Sequence, residues 1–133
     1  MRRSTTFYFY GTSTISTPTS GFLYGNYDGL NRPPAFDLVL DGMKMLAIEP
    51  TSATEIVMEE LVYTSEKSGL MNLCLAERKD GGVPFISSIQ AIPTGDDLYS
   101  KMESNETFWL VARINYGKDD EFEYDLLTAF RKF

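Results

Sequence analysis

The stretch FDLVL at residues 36–40 decides how this chain folds. Its large apolar side chains fall at every second position, which places Phe36, Leu38 and Leu40 on one face of a β-strand. An Asp-Gly pair at residues 41–42 follows, and both residue types tolerate the positive φ of a tight turn. The segment therefore predicts a half-buried strand that ends in a turn.

Four further segments also have apolar side chains with a period of two, in some of them on both faces of the strand. They lie at residues 56–63, 71–75, 85–92 and 108–116. Turn signals rich in glycine separate them, and short strands joined by such turns predict an all-β fold, an antiparallel β-sandwich. The side chains expected to point into its core are Phe36, Leu38, Leu40, Leu73, Leu75 and Phe85.

The end of the chain follows a different period. Phe122, Leu126, Phe130 and Phe133 recur at spacings close to one face of a helix. An acidic run at residues 119–121 precedes them and a basic pair follows, an order that suits a helix dipole. This pattern predicts a short C-terminal helix.

Composition limits the possible functions. The chain has 133 residues, 43% of them hydrophobic, which is enough for one folded core. Its net charge of -7 argues against binding to nucleic acid or to anionic membrane surfaces. It contains no histidine and a single cysteine, Cys74, so an internal disulfide, a multi-cysteine zinc site and histidine-assisted nucleophilic catalysis are all excluded.

No segment resembles a membrane span or a secretory signal. The apolar run at residues 108–112 is far too short to cross a bilayer, and we expect no direct membrane insertion by this chain. Residues 4–20 are rich in Ser and Thr and follow Arg2 and Arg3, a composition that loosely suits an organelle transit peptide. A polar strand-and-loop segment explains the same composition and is the favoured interpretation.

Five segments carry a resemblance to a known family. The motif FLYGNYDGLN at residues 22–31, followed by PPAFDL at 33–38, resembles the signature of malectin-like domains in the ectodomains of plant leucine-rich-repeat receptor-like kinases. LCL at 73–75 and GVPFISSI at 82–89 are similar to the closing strands of such a domain. LVARINYG at 110–117 is similar to the opening of a second module.

The resemblance implies an incomplete, jelly-roll-like β-sandwich. It divides the chain into an unmatched segment at 1–20, a partial first module at 21–95, and a linker with the start of a second module at 96–133. The family's partner for Cys74 is not recognisable in the first of these segments. The resemblance also implies a membrane-associated protein whose domain lies on the extracellular side, with no enzyme activity and no cofactor.

The loop within the motif holds the candidate ligand-binding residues. Tyr24 and Tyr27 offer rings that stack on sugars, and animal malectin, to which the family is similar, binds glycans through loop aromatics. Asn26, Asp28 and Asn31 offer hydrogen-bonding groups to hydroxyls. The competing interpretation is that these residues only shape a turn and that the tyrosines pack on it.

Three functions remain open for this domain. The first is a neutral oligosaccharide or cell-wall glycan, bound without catalysis. The second is a peptide or a co-receptor, bound through a flatter apolar surface. The third is a degenerate fragment without binding activity.

Other polar residues carry weaker signals. Asn105 begins an Asn-Glu-Thr triplet and is a glycosylation acceptor if the chain is secreted. The acidic run at 119–121 lacks the ligand spacing of a calcium loop, so no metal site is expected. Asp37 is expected to point out of the core or to pair locally, and Trp109 is expected to belong to the core.

Overall fold

The computed structural model describes residues 4–10, 15–64, 70–94, 99, 101–103, 106–114 and 127–132. Apart from the single residue 99, the regular secondary structure in these ranges consists of β-strands. The strands are β1 (Ser4–Tyr10), β2 (Ile15–Leu23), β3 (Phe36–Leu40), β4 (Met43–Ile48), β5 (Ile56–Thr64), β6 (Leu70–Glu77), β7 (Ser88–Pro93), β8 (Thr107–Ile114) and β9 (Leu127–Lys132).

The strands form two sheets. One has four strands in the order β1-β6-β3-β4, and the other has five in the order β7-β2-β5-β8-β9. Every described pair of neighbours is antiparallel. The prediction of an all-β antiparallel sandwich is therefore confirmed.

The core follows the alternation on β3 and β6. Leu38 lies opposite Leu75, and Leu40 lies opposite Leu73, so their side chains share one face of the four-stranded sheet. These residues and Phe36 are fully buried, which stabilises the fold by about 1.5–3 kcal/mol for each such side chain. Five of the six predicted core residues are thus confirmed as buried, and the sixth, Phe85, packs against them while partly buried.

The five-stranded sheet closes the core from the other side. Phe22 on β2 and Leu61 and Tyr63 on β5 are buried in the same cluster. Trp109 on β8 packs against it while partly buried, as expected. Its indole Nε1 also donates a hydrogen bond to Oε2 of Glu59 at 2.7 Å, which links β8 to β5 beyond the backbone ladder.

A hydrogen-bonded cluster at the β3–β4 turn joins the two sheets. Asp41, in the left-handed region with φ 45°, accepts a hydrogen bond from the buried Tyr63 hydroxyl at 2.8 Å. Its other carboxylate oxygen accepts one from the backbone N–H of Asn72 at 2.7 Å. The turn of the four-stranded sheet is thus fixed to β5 of the other sheet and to β6 of its own.

The C-terminal helix prediction is wrong in the part of the chain that the structure describes. Residues 127–132 form β9, which pairs with β8 through contacts such as Phe130 with Leu110. An extended β8 presents backbone groups that need partners, and this pairing overrides the helical spacing of the apolar residues. Phe122, Leu126 and Phe133 lie outside the described residues.

The predicted strand at 85–92 begins later than expected. Phe85 and Ile86 lie in a loop, and β7 starts at Ser88. The backbone N–H of Ser87 donates to the carbonyl of Gly21 at 2.9 Å, so pairing with β2 begins only there. Phe85 therefore reaches the core from a loop.

The expected division at residues 20 and 95 stays a prediction. β1 and most of β2 lie before residue 21, and they contribute to the two different sheets. β8 lies after residue 95 and pairs with β5 in the five-stranded sheet.

Three loops meet at one end of the sandwich. They span residues 24–35, 49–55 and 78–87 and connect β2 to β3, β4 to β5 and β6 to β7. In the five-stranded sheet, Leu23 pairs with Ile56, and Ser88 pairs with Gly21. In the four-stranded sheet, Phe36 pairs with both Ile48 and Glu77. The six strand ends that the loops connect therefore lie at that end. The predicted ligand-binding residues belong to the first of these loops.

Candidate functional site

The backbone of the loop at 24–35 makes repeated left-handed turns. Gly25, Asn26, Gly29 and Asn31 have φ values of 59°, 54°, 71° and 52°. Glycine and asparagine are the residues that adopt this region at least cost, which explains their presence here. The N–H of Gly25 donates to the carbonyl of Ala53 at 2.8 Å and so attaches this loop to the one at 49–55.

The two asparagines hold the loop closed. Oδ1 of Asn26 accepts a hydrogen bond from the N–H of Asn31 at 2.8 Å and lies 3.1 Å from the hydroxyl oxygen of Tyr24. Nδ2 of Asn26 donates to Oδ1 of Asn31 at 2.8 Å. These contacts use most of the polar groups of Asn26 to shape the loop.

Asp28 is a fixed carboxylate. Its Oδ1 accepts a short hydrogen bond from the Tyr24 hydroxyl and another from the N–H of Leu30 at 3.1 Å. The Tyr24 hydroxyl, followed by that N–H, lowers the pKa of Asp28 below its ordinary value. Burial, together with the neighbouring Asp28, raises the pKa of Tyr24, which keeps its hydroxyl protonated as a donor.

Tyr27 presents an aromatic face to solvent. Its side chain is 57% exposed, yet three contacts define the orientation of its ring. The ring packs edge-on against Tyr24 at a centroid distance of 5.3 Å and lies tilted against Phe85 at 5.9 Å. Its hydroxyl donates to the carbonyl of Val83 at 3.3 Å. The ring is therefore pre-oriented, which lowers the entropy lost when a ligand stacks on it.

A chain of aromatic contacts connects this ring to the core. Phe85 lies 5.5 Å from Phe36 and 6.2 Å from Phe22, both fully buried. Edge-on aromatic pairs of this kind contribute about 0.5–1.5 kcal/mol each beyond the area they bury. The exposed Tyr27 thus rests on packed rings that reach the centre of the sandwich.

The loop at 78–87 completes the surface beside Tyr27. Its Gly81 carbonyl accepts a hydrogen bond from the N–H of Ala35 at 2.7 Å, and a Cβ at Gly81 would collide with the carbonyl of Ala35. The Ser87 hydroxyl accepts a hydrogen bond from the N–H of Leu23 at 2.9 Å. Glycine at 81 therefore allows the approach that brings the exposed Val83 next to Tyr27.

An ion-pair cluster joins the loops at 49–55 and 78–87 to β3. Arg78 contacts Glu49 through its guanidinium, and its Nε lies 3.7 Å from Oδ1 of Asp37. Asp37 thus pairs locally, as the sequence predicted. Arg78 thus engages Asp37 and Glu49, while Asp28 follows Tyr27 directly in the loop at 24–35.

The structure places the predicted ligand residues in different roles. Tyr27 and Asp28 are exposed side by side, whereas Tyr24 is only 1% exposed and offers no open ring face. Asn26 and Asn31 shape the loop with their amides. Ligand binding at this loop stays a prediction. The burial of Tyr24 rules out the predicted stacking on its ring, so its role is to position Asp28 and Tyr27.

Sequence reasoning missed the contribution of Val83 and Phe85. The signal was present, since Gly81, Gly82 and Pro84 surround them in a segment too rich in turn residues for a regular strand. Asn105 and the acidic run at 119–121 lie outside the described residues. Within the described ranges, no group of three or more His, Cys, Asp and Glu side chains comes together as a metal site.

Comparison with known proteins agrees with this architecture. The family model described as the malectin-like domain matches residues 19–130. An uncharacterized protein of Arabidopsis thaliana is 31% identical over 106 residues, which is 78% of this chain and 21% of that protein. Two probable leucine-rich-repeat receptor-like serine/threonine-protein kinases of the same plant are 38% identical over 78 residues and 33% identical over 107 residues.

These alignments cover a small part of the relatives. The chain aligns with 9% and 11% of the two kinases, while 59% and 80% of its own length is matched. No solved structure gives a significant match to the chain. In the described part of the chain, no helix is long and apolar enough to cross a membrane. The match across residues 19–130 shows that the chain belongs to the malectin-like domain family.

Proposed function

We propose that this malectin-like domain binds a neutral oligosaccharide, such as a cell-wall glycan, at the end of the sandwich formed by the loops at 24–35 and 78–87. The observation that carries the proposal is the exposed ring of Tyr27, held in one orientation beside the carboxylate of Asp28. An aromatic face next to a fixed hydrogen-bond acceptor is the combination that recognises the apolar face and the hydroxyls of a sugar.

The chemistry of the two residues is complementary. The Tyr27 ring stacks on the C–H face of a sugar, and the Asp28 carboxylate accepts hydrogen bonds from its hydroxyls. The described hydrogen bonds of Asp28 reach Oδ1, and in the proposed complex Oδ2 accepts hydrogen bonds from the sugar hydroxyls. A net charge of -7 disfavours anionic glycans at low salt.

Binding at this surface is weak and non-catalytic. Two side chains and the adjoining Val83 cover little area, and desolvation of sugar hydroxyls offsets much of each hydrogen bond. Hydrolysis of a glycosidic bond usually requires two carboxyl groups on either side of that bond, one of them with a raised pKa. The pKa of Asp28, the carboxylate next to Tyr27 in the loop at 24–35, is lowered, so this group is not suited to be the acid of such a pair.

The names of the relatives support a place in a receptor. Two matched proteins are named as probable receptor-like kinases, and the matched segment lies in the malectin-like family. We therefore propose that this domain lies on the extracellular side of a membrane-associated receptor.

A second candidate function is binding of a peptide or a co-receptor. Leu23 lies opposite Ile56 on the outer face of the five-stranded sheet, and Met58 follows on the same face beside Gly21. All three apolar side chains are exposed at adjacent positions on this face of the sheet. This area favours a protein contact over a sugar contact.

The test compares exposed tyrosines. Tyr27→Ala should abolish chemical-shift changes caused by neutral oligosaccharides, while Tyr27→Phe should keep most of them because the ring remains. Tyr8→Ala removes a tyrosine that is similarly exposed, at 61%, on the other sheet and should leave binding intact. Absence of any shift at Tyr27 across a panel of neutral glycans would refute sugar binding. Binding of a receptor-derived peptide that Ile56→Lys abolishes would support the second function instead.

A further inference from the structure

β1 is an edge strand with unusual sequence. It pairs with β6 on one side, and no strand in the described residues pairs with its other side. Its sequence, STTFYFY, has no charge and no proline, and it is rich in aromatic and β-branched residues. An edge of this kind presents a row of backbone N–H and C=O groups that can pair with another strand.

The other edge strands of the two sheets carry protective features. β4 contains Lys44, and its pairing with β3 shifts register at residues 38–39. β7 ends in Pro93, and β9 contains Arg131 and Lys132. Charges, prolines and irregular pairing are the usual means by which proteins prevent edge-to-edge association. Among the described edges, β1 alone lacks all three.

The inward face of β1 is incompletely covered. Phe7 and Phe9 pack against the core cluster but remain partly exposed. On the outward face, Tyr8 and Tyr10 are 61% and 81% exposed. A strand added beside β1 would therefore cover apolar surface on both faces as well as pairing the backbone.

We propose that β1 is the surface through which two copies of this chain pair, edge to edge and antiparallel, so that their four-stranded sheets form one continuous sheet. A second copy suits this edge because it brings an uncharged strand to an uncharged strand in a chain whose net charge is -7. A two-fold axis makes such a contact self-complementary and closed.

The pairing has a defined geometry. With the two-fold axis at Phe7, Tyr8 lies opposite Thr6 of the partner subunit, and Phe9 lies opposite Thr5 of the partner subunit. The partly exposed rings of Phe7 from the two copies then meet at the centre, next to both hydrophobic cores. The contact involves seven residues of each strand, a small interface, so the dimer is weak and depends on concentration.

Sedimentation equilibrium of the full chain tests the proposal. The unmodified chain should show a monomer–dimer equilibrium, and Tyr8→Lys should raise the dissociation constant at least about tenfold, because two like charges approach across the two-fold axis. Val111→Lys is the matched control. It introduces the same charge on β8 of the other sheet, at a residue that is 61% exposed like Tyr8, and should leave the equilibrium unchanged.

Hydrogen exchange supplies a second readout that does not depend on a variant. Raising the concentration of the unmodified chain should protect every second amide of residues 4–10, because alternate N–H groups of β1 point away from β6. Protection with this period of two, together with the effect of Tyr8→Lys, supports the proposal. A monomer at all concentrations, equal dissociation constants for Tyr8→Lys and the unmodified chain, or weakening by Val111→Lys alone would each overturn it. Circular dichroism confirms that both variants are folded.

Discussion

Two tyrosine–aspartate pairs lie at opposite ends of the sandwich, and they differ in how far they reach. Tyr24 donates to Asp28, four residues away in the same loop. Tyr63 donates to Asp41, 22 residues away and in the other sheet. Both tyrosines are almost completely buried, and each aspartate also accepts a hydrogen bond from a backbone N–H. The chemistry is the same, but one pair shapes a surface and the other joins two sheets.

The difference separates binding from stability. The Tyr24–Asp28 pair fixes a carboxylate that remains exposed beside Tyr27, so its loss chiefly alters a surface. The Tyr63–Asp41 pair lies between the sheets and holds a turn whose central residue has positive φ. Its loss removes a contact that both sheets share. We therefore expect changes at residues 41 and 63 to lower stability more than changes at 24 and 28.

The largest expected effect is that of Asp41→Ala. This change removes the acceptor for the Tyr63 hydroxyl and for the Asn72 N–H, and it places alanine at a φ of 45° that alanine tolerates poorly. We expect the free energy of unfolding to fall by about 2–4 kcal/mol, measured by urea denaturation. Chemical-shift changes at Tyr27 with a neutral oligosaccharide should persist in the folded variant.

Asp41→Asn is the matched control for this prediction. Asparagine tolerates positive φ and keeps one side-chain acceptor, so most of the stability should remain. If Asp41→Ala and Asp41→Asn unfold at the same urea concentration as the unmodified chain, the contact between the sheets does not contribute as described.

A smaller effect distinguishes the two tyrosines directly. Tyr63→Phe removes one buried hydroxyl and should lower the free energy of unfolding by about 1–2 kcal/mol, with no change in ligand binding. Tyr24→Phe should lower stability less, because the donor it removes serves an exposed carboxylate. It should instead raise the pKa of Asp28, whose lowering is due first to that hydroxyl.

NMR titration of the Asp28 carboxyl carbon measures the second half of this comparison. In Tyr24→Phe the titration midpoint should move upward, and in Tyr63→Phe it should stay unchanged. Suppose that Tyr24→Phe and Tyr63→Phe lose the same stability and that the Asp28 midpoint does not move in either. The Tyr24–Asp28 and Tyr63–Asp41 pairs would then not differ in role as described.

The local pair was accessible to sequence reasoning and the long-range pair was not. The run YGNYDGLN at 24–31 contains its own hydrogen-bonding partners within a few residues, so a loop rich in positive φ was predictable from its glycines and asparagines. The burial of Tyr24 was not predictable, because it depends on the contact with Phe85 from another loop at 6.1 Å. The sequence around Asp41 predicted only a turn, because no neighbouring residue indicates the hydrogen bond with Tyr63.

The same distinction explains the strands. The alternation on β3 and β6 was correct because each buries one face, and period two then follows from the backbone itself. The apolar spacing near residue 130 suited a helix, but pairing with β8 determined the structure of residues 127–132. Pairing partners distant in sequence leave no local signal, so register and sheet order required the structure.

The smallest expected effect is on the pH dependence of stability, where Asp28 and Glu59 act in opposite directions. Hydrogen bonds lower the pKa of Asp28, so its contribution is present above the ordinary aspartate value and is lost as the pH falls through the lowered pKa. Burial raises the pKa of Glu59 despite the hydrogen bond from Trp109, so its contribution is present below the ordinary glutamate value and is lost as the pH rises through the raised pKa.

Urea denaturation between about pH 3 and pH 7 should therefore show that Asp28→Asn is most destabilising near neutrality, with the deficit shrinking as the pH falls. Glu59→Gln, which mimics the protonated acid and keeps an acceptor for the indole, should gain stability relative to the unmodified chain as the pH rises. If the free energies of unfolding of both variants, relative to the unmodified chain, change with pH in the same direction, the surroundings of Asp28 and Glu59 do not shift the two pKa values in opposite directions.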